Sequence, residues 1–113
     1  MKPIVGRLED VKSILMQGED LKHTSMRRLL GPEDGFSGYA MRVFTVQPDG
    51  FTPQHTHDWP HINLVVSGEG TLQTGEYFTP IEQGSYAYVP PGMLHQFRNT
   101  GREPLVFMCI VPE

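Results

Sequence analysis

Cysteine is almost missing from this chain. Cys109 stands alone among 113 residues, so no intrachain disulfide can staple the fold. A lone thiol fits a reducing compartment better than a secreted scaffold. The start, Met1-Lys2-Pro3-Ile4 leading into Glu9-Asp10, also lacks the apolar stretch of a signal peptide. No apolar run approaches the ~20 residues that cross a bilayer. A basic excess is missing too: 9 Lys and Arg face 13 Asp and Glu, a net charge of -4, which leaves no field to hold a phosphate backbone. These absences exclude membrane and nucleic acid as partners and lead to the expectation of a soluble, cytoplasmic protein. The length allows one domain, 1–113, and any site must lie within it or on it.

What is present is turn chemistry. The 12 glycines and 10 prolines are spread through aromatic and β-branched runs, which makes them punctuation and argues against disorder. From Gly38 onward, short apolar runs alternate with turn signals as in an all-β sandwich or barrel. Strands are expected at 39–46, ending at Gln47-Pro48-Asp49-Gly50, and then at 62–67, 71–74, 77–81, 85–89, 94–98 and 105–111. Pro80 assigns its strand to an edge, because proline cannot donate to a ladder. Before residue 36 the pattern weakens. Residues 11–15 mix helix and strand character, and 21–30 reads as a strand closed by Gly31-Pro32-Glu33-Asp34-Gly35. Segment 1–35 is therefore expected to be an amino-terminal arm packed on the barrel formed by 36–113, or on a partner subunit.

Three of the five histidines fall in Gln54-His55-Thr56-His57-Asp58-Trp59-Pro60-His61. On an extended chain His55 and His57 share one face, so two imidazoles can converge on one ion. Pro60 denies a ladder hydrogen bond and favours a turn that returns His61 to the same place. His95 follows the sharp turn Pro90-Pro91-Gly92 and is the remaining candidate. His23 lies apart from both stretches and is read as a surface or interface residue.

Gly50, His55, His57, His61 and Gly68 resemble the first motif of the cupin superfamily, although Gly50 is one residue closer to His55 than usual. Gly84, Pro90, Gly92, His95 and Asn99 match every position of its second motif. The likeness covers residues 39–113. His61 stands where most cupins place a glutamate, which is similar to the small four-histidine cupins, including manganese-binding barrels from thermophiles. The resemblance implies a double-stranded β-helix, the cupin jelly roll, in a single domain that forms homodimers. It further implies one divalent transition metal per chain on His55, His57, His61 and His95. Manganese or iron is favoured, with nickel, zinc and copper as alternatives.

Four neutral imidazoles leave the double charge of such an ion uncompensated, which makes it a strong Lewis acid for a small oxygen-bearing molecule. The leading expectation is an oxygenase or dioxygenase. The rivals are a Lewis-acid isomerase or lyase, and a non-catalytic module that binds metal or a small ligand. Around the ion, Phe107 and Cys109 share a strand face and are candidates for the pocket wall, against the reading of Cys109 as a small core hydrophobe. Arg42 interrupts an apolar run; it either reaches solvent, the reading favoured here, or offers a cation at the barrel mouth. Trp59 either gates the entrance or covers the barrel end.

Overall fold

A computed structural model describes residues 2–113. Nine strands follow in order: β1 (Ile14–Leu15), β2 (Lys22–Leu30), β3 (Tyr39–Phe51), β4 (His61–Ser67), β5 (Glu69–Thr74), β6 (Tyr77–Glu82), β7 (Tyr86–Val89), β8 (His95–Asn99) and β9 (Leu105–Pro112). The helical elements among the described residues are two three-residue turns, Leu8–Asp10 and Pro32–Asp34. Among the described residues no helix is long and apolar enough to cross a membrane.

All strands join one antiparallel sheet that curls on itself, in the order β6-β5-β8-β3-β9-β4-β7, with β2 on the flank of β3 and β1 beyond it. This is the all-β cupin-type barrel. Strand alternation decides which way it closes. Along β4, His61, Asn63 and Val65 are buried while Ile62, Leu64 and Val66 face out. Along β9, Leu105, Phe107, Cys109 and Val111 are buried. The inward apolar residues meet in one core of Val46, Val65, Leu72, Ile81, Phe97, Leu105 and Phe107. At its centre the Phe97 and Phe107 rings stack with centroids 3.9 Å apart. This core fills one end of the barrel and leaves the other end to the polar side chains described below.

Two expectations need adjustment. Strand β3 does not stop at Gln47; it runs through to Phe51. The turn residues instead make a bulge. Val46 pairs with Thr24 and Phe51 with Lys22, so β3 advances five residues where β2 advances two. Asp49 takes φ 71° to absorb the excess, and Thr24, fully buried, donates its Oγ1 hydroxyl to the carbonyls of Lys22 and Phe51 across it. The amino-terminal segment is also more than an arm laid on a finished barrel, because β2 pairs along β3 from Lys22 to Leu30 and widens the sheet itself. The mixed stretch before it contributes only the two-residue β1. Pro80 sits on β6, at the end of the strand path, where its missing N–H costs no ladder bond.

Candidate metal centre

The site is assembled by one backbone bridge and two bends. His55 and His95 exchange both main-chain hydrogen bonds, His55 N–H to His95 O at 3.2 Å and His95 N–H to His55 O at 3.1 Å. Paired residues of an antiparallel bridge send their side chains to one side, and the two rings lie with centroids 4.8 Å apart. His57 follows on the same face, 5.1 Å from His55 and 4.8 Å from His95 between centroids. Its carbonyl accepts the Gly92 N–H at 2.7 Å, which ties the His-x-His segment to the turn before His95. Gly92 takes φ 77° there, a conformation that a side chain would resist. One ligand atom each from His55, His57 and His95 can be chosen within 4.8 Å of one another, close enough to hold a single ion.

His61 opens β4 and lies beside two members of this trio. Its ring centroid is 4.8 Å from that of His95 and 5.4 Å from that of His57, and its Nε2 lies 3.2 Å from His95 Nε2. The partners of the opposite ring nitrogens decide what that short approach means. The Nδ1 of His95 faces the Met93 carbonyl at 2.9 Å, and a carbonyl can only accept, so this nitrogen carries the proton. The Nδ1 of His61 faces Asn63 Oδ1 at 2.7 Å, while the Asn63 amide donates to Met108 O at 3.4 Å and so fixes which end is oxygen. His61 is therefore also protonated at Nδ1. Both Nε2 atoms present bare lone pairs to one another, an arrangement that is repulsive until a cation lies between them. The donor set fits a transition-metal ion on this ground, independently of any likeness to other proteins. His57 repeats the pattern, with Nδ1 2.7 Å from Trp59 O. Such outer contacts orient ligating rings and raise their basicity.

Burial tunes the same rings. Loss of water, opposed by the Asn63 contact and reinforced by His95, pushes His61 down to about 4. Burial is also the first cause that lowers His95 and His55 below the ordinary imidazole value. These rings thus stay neutral, the form that binds metal, through the physiological range.

A cavity of about 170 Å³ opens over the four rings. Phe44, Phe97, Phe107 and Trp59 supply much of its wall, and Thr52, Asn63, Cys109 and Arg42 supply the polar groups beside the imidazoles. Cys109 and Phe107 thus face the cavity, and Cys109 is at once buried and part of that wall. Arg42 does not reach out to solvent as the favoured sequence reading had it. It lines the cavity with its Cζ 5.3 Å from the Phe44 ring centroid. Trp59 stacks flat on His57, with centroids 4.4 Å apart and planes within 1°, and stands at the rim. His23 is exposed on β2 and contributes nothing to the cluster.

Among the described residues no carboxylate lines the cavity; Asp58, Glu69, Glu76 and Glu82 are all exposed. Asn99 spends its side chain on backbone, donating to Val46 O and Glu103 O and accepting from Gly101 N–H. Asn63 was missed from sequence. Its signal was present in the alternation His61-Ile62-Asn63, which sends both polar side chains to one face once a strand begins at His61.

Comparison with known proteins agrees with this fold. Residues 42–111 match the family model described as Cupin domain. The chain is 39% identical to the glucose-6-phosphate isomerase of Pyrococcus horikoshii, across 98% of this chain and 70% of that protein. To the glucose-6-phosphate isomerase of Thermococcus onnurineus it is 40% identical across 55% of this chain, and it spans little more than a third, 37%, of that protein's length. Among solved structures, the polyketide cyclase RemF from Streptomyces resistomycificus superposes with a TM-score of 0.88 at 28% identity, covering 99% of this chain and 80% of that one.

Proposed function

Because the chain belongs to the cupin family, we propose that it is a metal-dependent enzyme whose single divalent ion, held by His55, His57, His61 and His95, acts as a Lewis acid on a small oxygen-bearing organic molecule. The observation that carries this reading is the 3.2 Å approach of His61 Nε2 to His95 Nε2 beneath an open cavity, with the opposite nitrogen of each ring turned to an oxygen acceptor. The isomerase and cyclase names of similar proteins favour a reaction that rearranges its substrate without consuming dioxygen. The second reading, an oxygenase using manganese or iron, draws on the absence of a carboxylate from the cavity wall, since proton abstraction would lack its usual base.

When bound, the metal supplies polarisation of a substrate oxygen. The chain's own groups do the rest. His55, His57, His61 and His95 offer ring nitrogens, and Met93 O, Asn63 Oδ1 and Trp59 O keep the rings of His95, His61 and His57 turned inward. Phe44, Phe97 and Phe107 exclude water and accept an apolar substrate body. Cys109 holds its proton, because burial pushes the thiol up against the opposing pull of Arg42, so at neutral pH it is a donor rather than a nucleophile.

The test is elemental analysis of tag-free protein, followed by turnover with small hydroxy- and oxo-compounds under air and under strict anaerobiosis. About one transition-metal ion per chain, with chelator-sensitive turnover that persists without dioxygen, is expected. A metal-free protein that takes up no metal on titration would sink the reading, and turnover that requires dioxygen would install the oxygenase instead. His61→Glu, which adds a negative charge at the ion, should change turnover with the fold intact.

A homodimer belongs to the same reading. The outward face of β9, β4 and β7 exposes Ile62, Leu64, Val66, Tyr86 and Tyr88 without a charged side chain among them. An uncharged apolar face can meet its own copy about a two-fold axis at no electrostatic cost.

A further inference from the structure

Sheet register gathers three of the cavity's four non-imidazole polar groups, all but Thr52, into a single row. Arg42 on β3 pairs with Cys109 on β9, and Cys109 pairs with Asn63 on β4. All three face inward on neighbouring strands at one level and all line the cavity. In the rows on either side β3 and β9 contribute Ala40 and Val111, and Phe44 and Phe107, which are apolar, while β4 contributes His61 and Val65. One cation is therefore set into an otherwise neutral wall.

That cation is incompletely matched. Arg42 Nε is buried and has no hydrogen-bond partner. The ion pairs among the described residues go to Arg7 and Arg28 and leave Arg42 out. Glu113 feels the charge of Arg42 from a distance, but its carboxylate is engaged by Arg28 at 2.8 Å. On the cavity side Arg42 meets the Phe44 ring, the Cys109 thiol and His61, none of them anionic. A guanidinium presents a planar fork of donors, and leaving a buried donor unpaired costs about 1–3 kcal/mol, a cost that an oxyanion brought by a ligand would offset.

We propose that Arg42 is the anion-binding residue of this site, and that the substrate is a small organic carboxylate with a second oxygen placed to reach the metal position. The assignment rests on the metal-dependent reading above. Carboxylate is preferred to phosphate because one guanidinium, with Thr52, Asn63 and Cys109 as the other polar wall groups, provides a single positive charge. A phosphate dianion calls for more charge and more donors than this wall has. The apolar remainder, Phe44 and Phe107 above all, fits a compact body joining the two oxygens. Arg42 would bind and orient the substrate and take no proton, since a guanidinium stays charged throughout the accessible pH range.

The experiment is titration calorimetry on the zinc-loaded protein with three probes: 2-hydroxybenzoate, its uncharged amide 2-hydroxybenzamide, and inorganic phosphate. The carboxylate should bind at least about 10-fold more tightly than the amide, matching one charged hydrogen-bonding contact, and phosphate should bind more weakly than the carboxylate. Arg42→Met should erase the preference for the carboxylate over the amide while leaving zinc content unchanged and the protein folded. Arg42→Lys, which restores charge without the fork, should recover part of it. Equal affinity for acid and amide in the parent protein, an unaltered preference in Arg42→Met, or tighter binding of phosphate would each overturn the assignment. Zinc content separates the two levels of argument: normal zinc with no carboxylate preference refutes the role of Arg42 alone, whereas absence of zinc binding refutes the metal-centred reading first.

Discussion

Acidifying the metal-free protein should unfold it through the histidine cluster, and His61 sets the size of the effect. An unfolded chain protonates His61 as pH falls through the ordinary imidazole value of 6.5, whereas the folded chain resists until about 4. Between those values the unfolded state binds more protons, so stability is complete above pH 6.5 and drains away as pH falls towards 4. At 1.36 kcal/mol per pH unit the whole interval is worth at most about 3 kcal/mol. Allowing for water at the cavity mouth leaves about 2 kcal/mol, a large share of the 5–15 kcal/mol that holds a domain together. His55 and His95, lowered by the same loss of water, act in the same direction. Urea unfolding in the presence of a chelator, at pH 7.0, 5.5 and 4.5, measures this directly. The parent protein should lose stability progressively across that series, and His61→Gln, which cannot take up the proton, should lose about 2 kcal/mol less. Parallel pH profiles for the two proteins would show that His61 is not held neutral by its burial, and the tautomer argument for the site would fall with it.

Further consequences concern the ligands, the rings behind them, the turns and the outer face. His95→Ala should strip metal from the purified protein while His23→Ala leaves it in place; equal losses by elemental analysis would dissolve the distinction between clustered and exposed histidines. Asn63→Ala removes the acceptor that orients His61 and should weaken metal affinity by roughly 10–100-fold with the fold retained, measurable through quenching of the single tryptophan, Trp59, stacked on His57. An unchanged affinity would mean that His61 needs no such support. Gly68→Ala combines φ 86° with a Cβ only 2.3 Å from Pro104 O, and should cost about 2 kcal/mol or more in denaturant unfolding, where a shift near zero would contradict the close approach. Leu64→Glu on the outward face of β4 should yield a monomer by sedimentation if a second copy covers that face, and a parent protein already monomeric at micromolar concentration would remove the dimer.

Much of this architecture was open to reading along the chain because it follows from local rules. The apolar run over 105–111 announced a strand, and the period of two put Phe107 and Cys109 on one face of it. Glycine and proline marked the turns, and Pro80 named its own edge. The spacing of His55, His57 and His95 singled out three residues whose ligand atoms the fold brings within 4.8 Å of one another, with His61 beside His57 and His95. The bulge in β3 was not legible, because Gln47-Pro48-Asp49-Gly50 reads as a turn by composition. Only the pairing of β2 with both sides of it, sealed by the buried Thr24, keeps the strand going.

Side-chain direction separates the two kinds of knowledge at Arg42 and Asn63. A sequence carries strand parity only where the pattern is regular, and an arginine in an apolar run satisfies either face: it can extend to water or turn inward. Three-strand register decided the matter by placing Arg42 beside Cys109 and Asn63 on the cavity wall. Residue types and spacing thus determined by themselves that an all-β chain would carry a histidine cluster, since those depend on periods of two and on short turns. Which nitrogens face one another, which ring carries its proton where, and which cation faces the cavity without a counter-charge were decided by tertiary structure, because each depends on contacts between strands far apart in the chain.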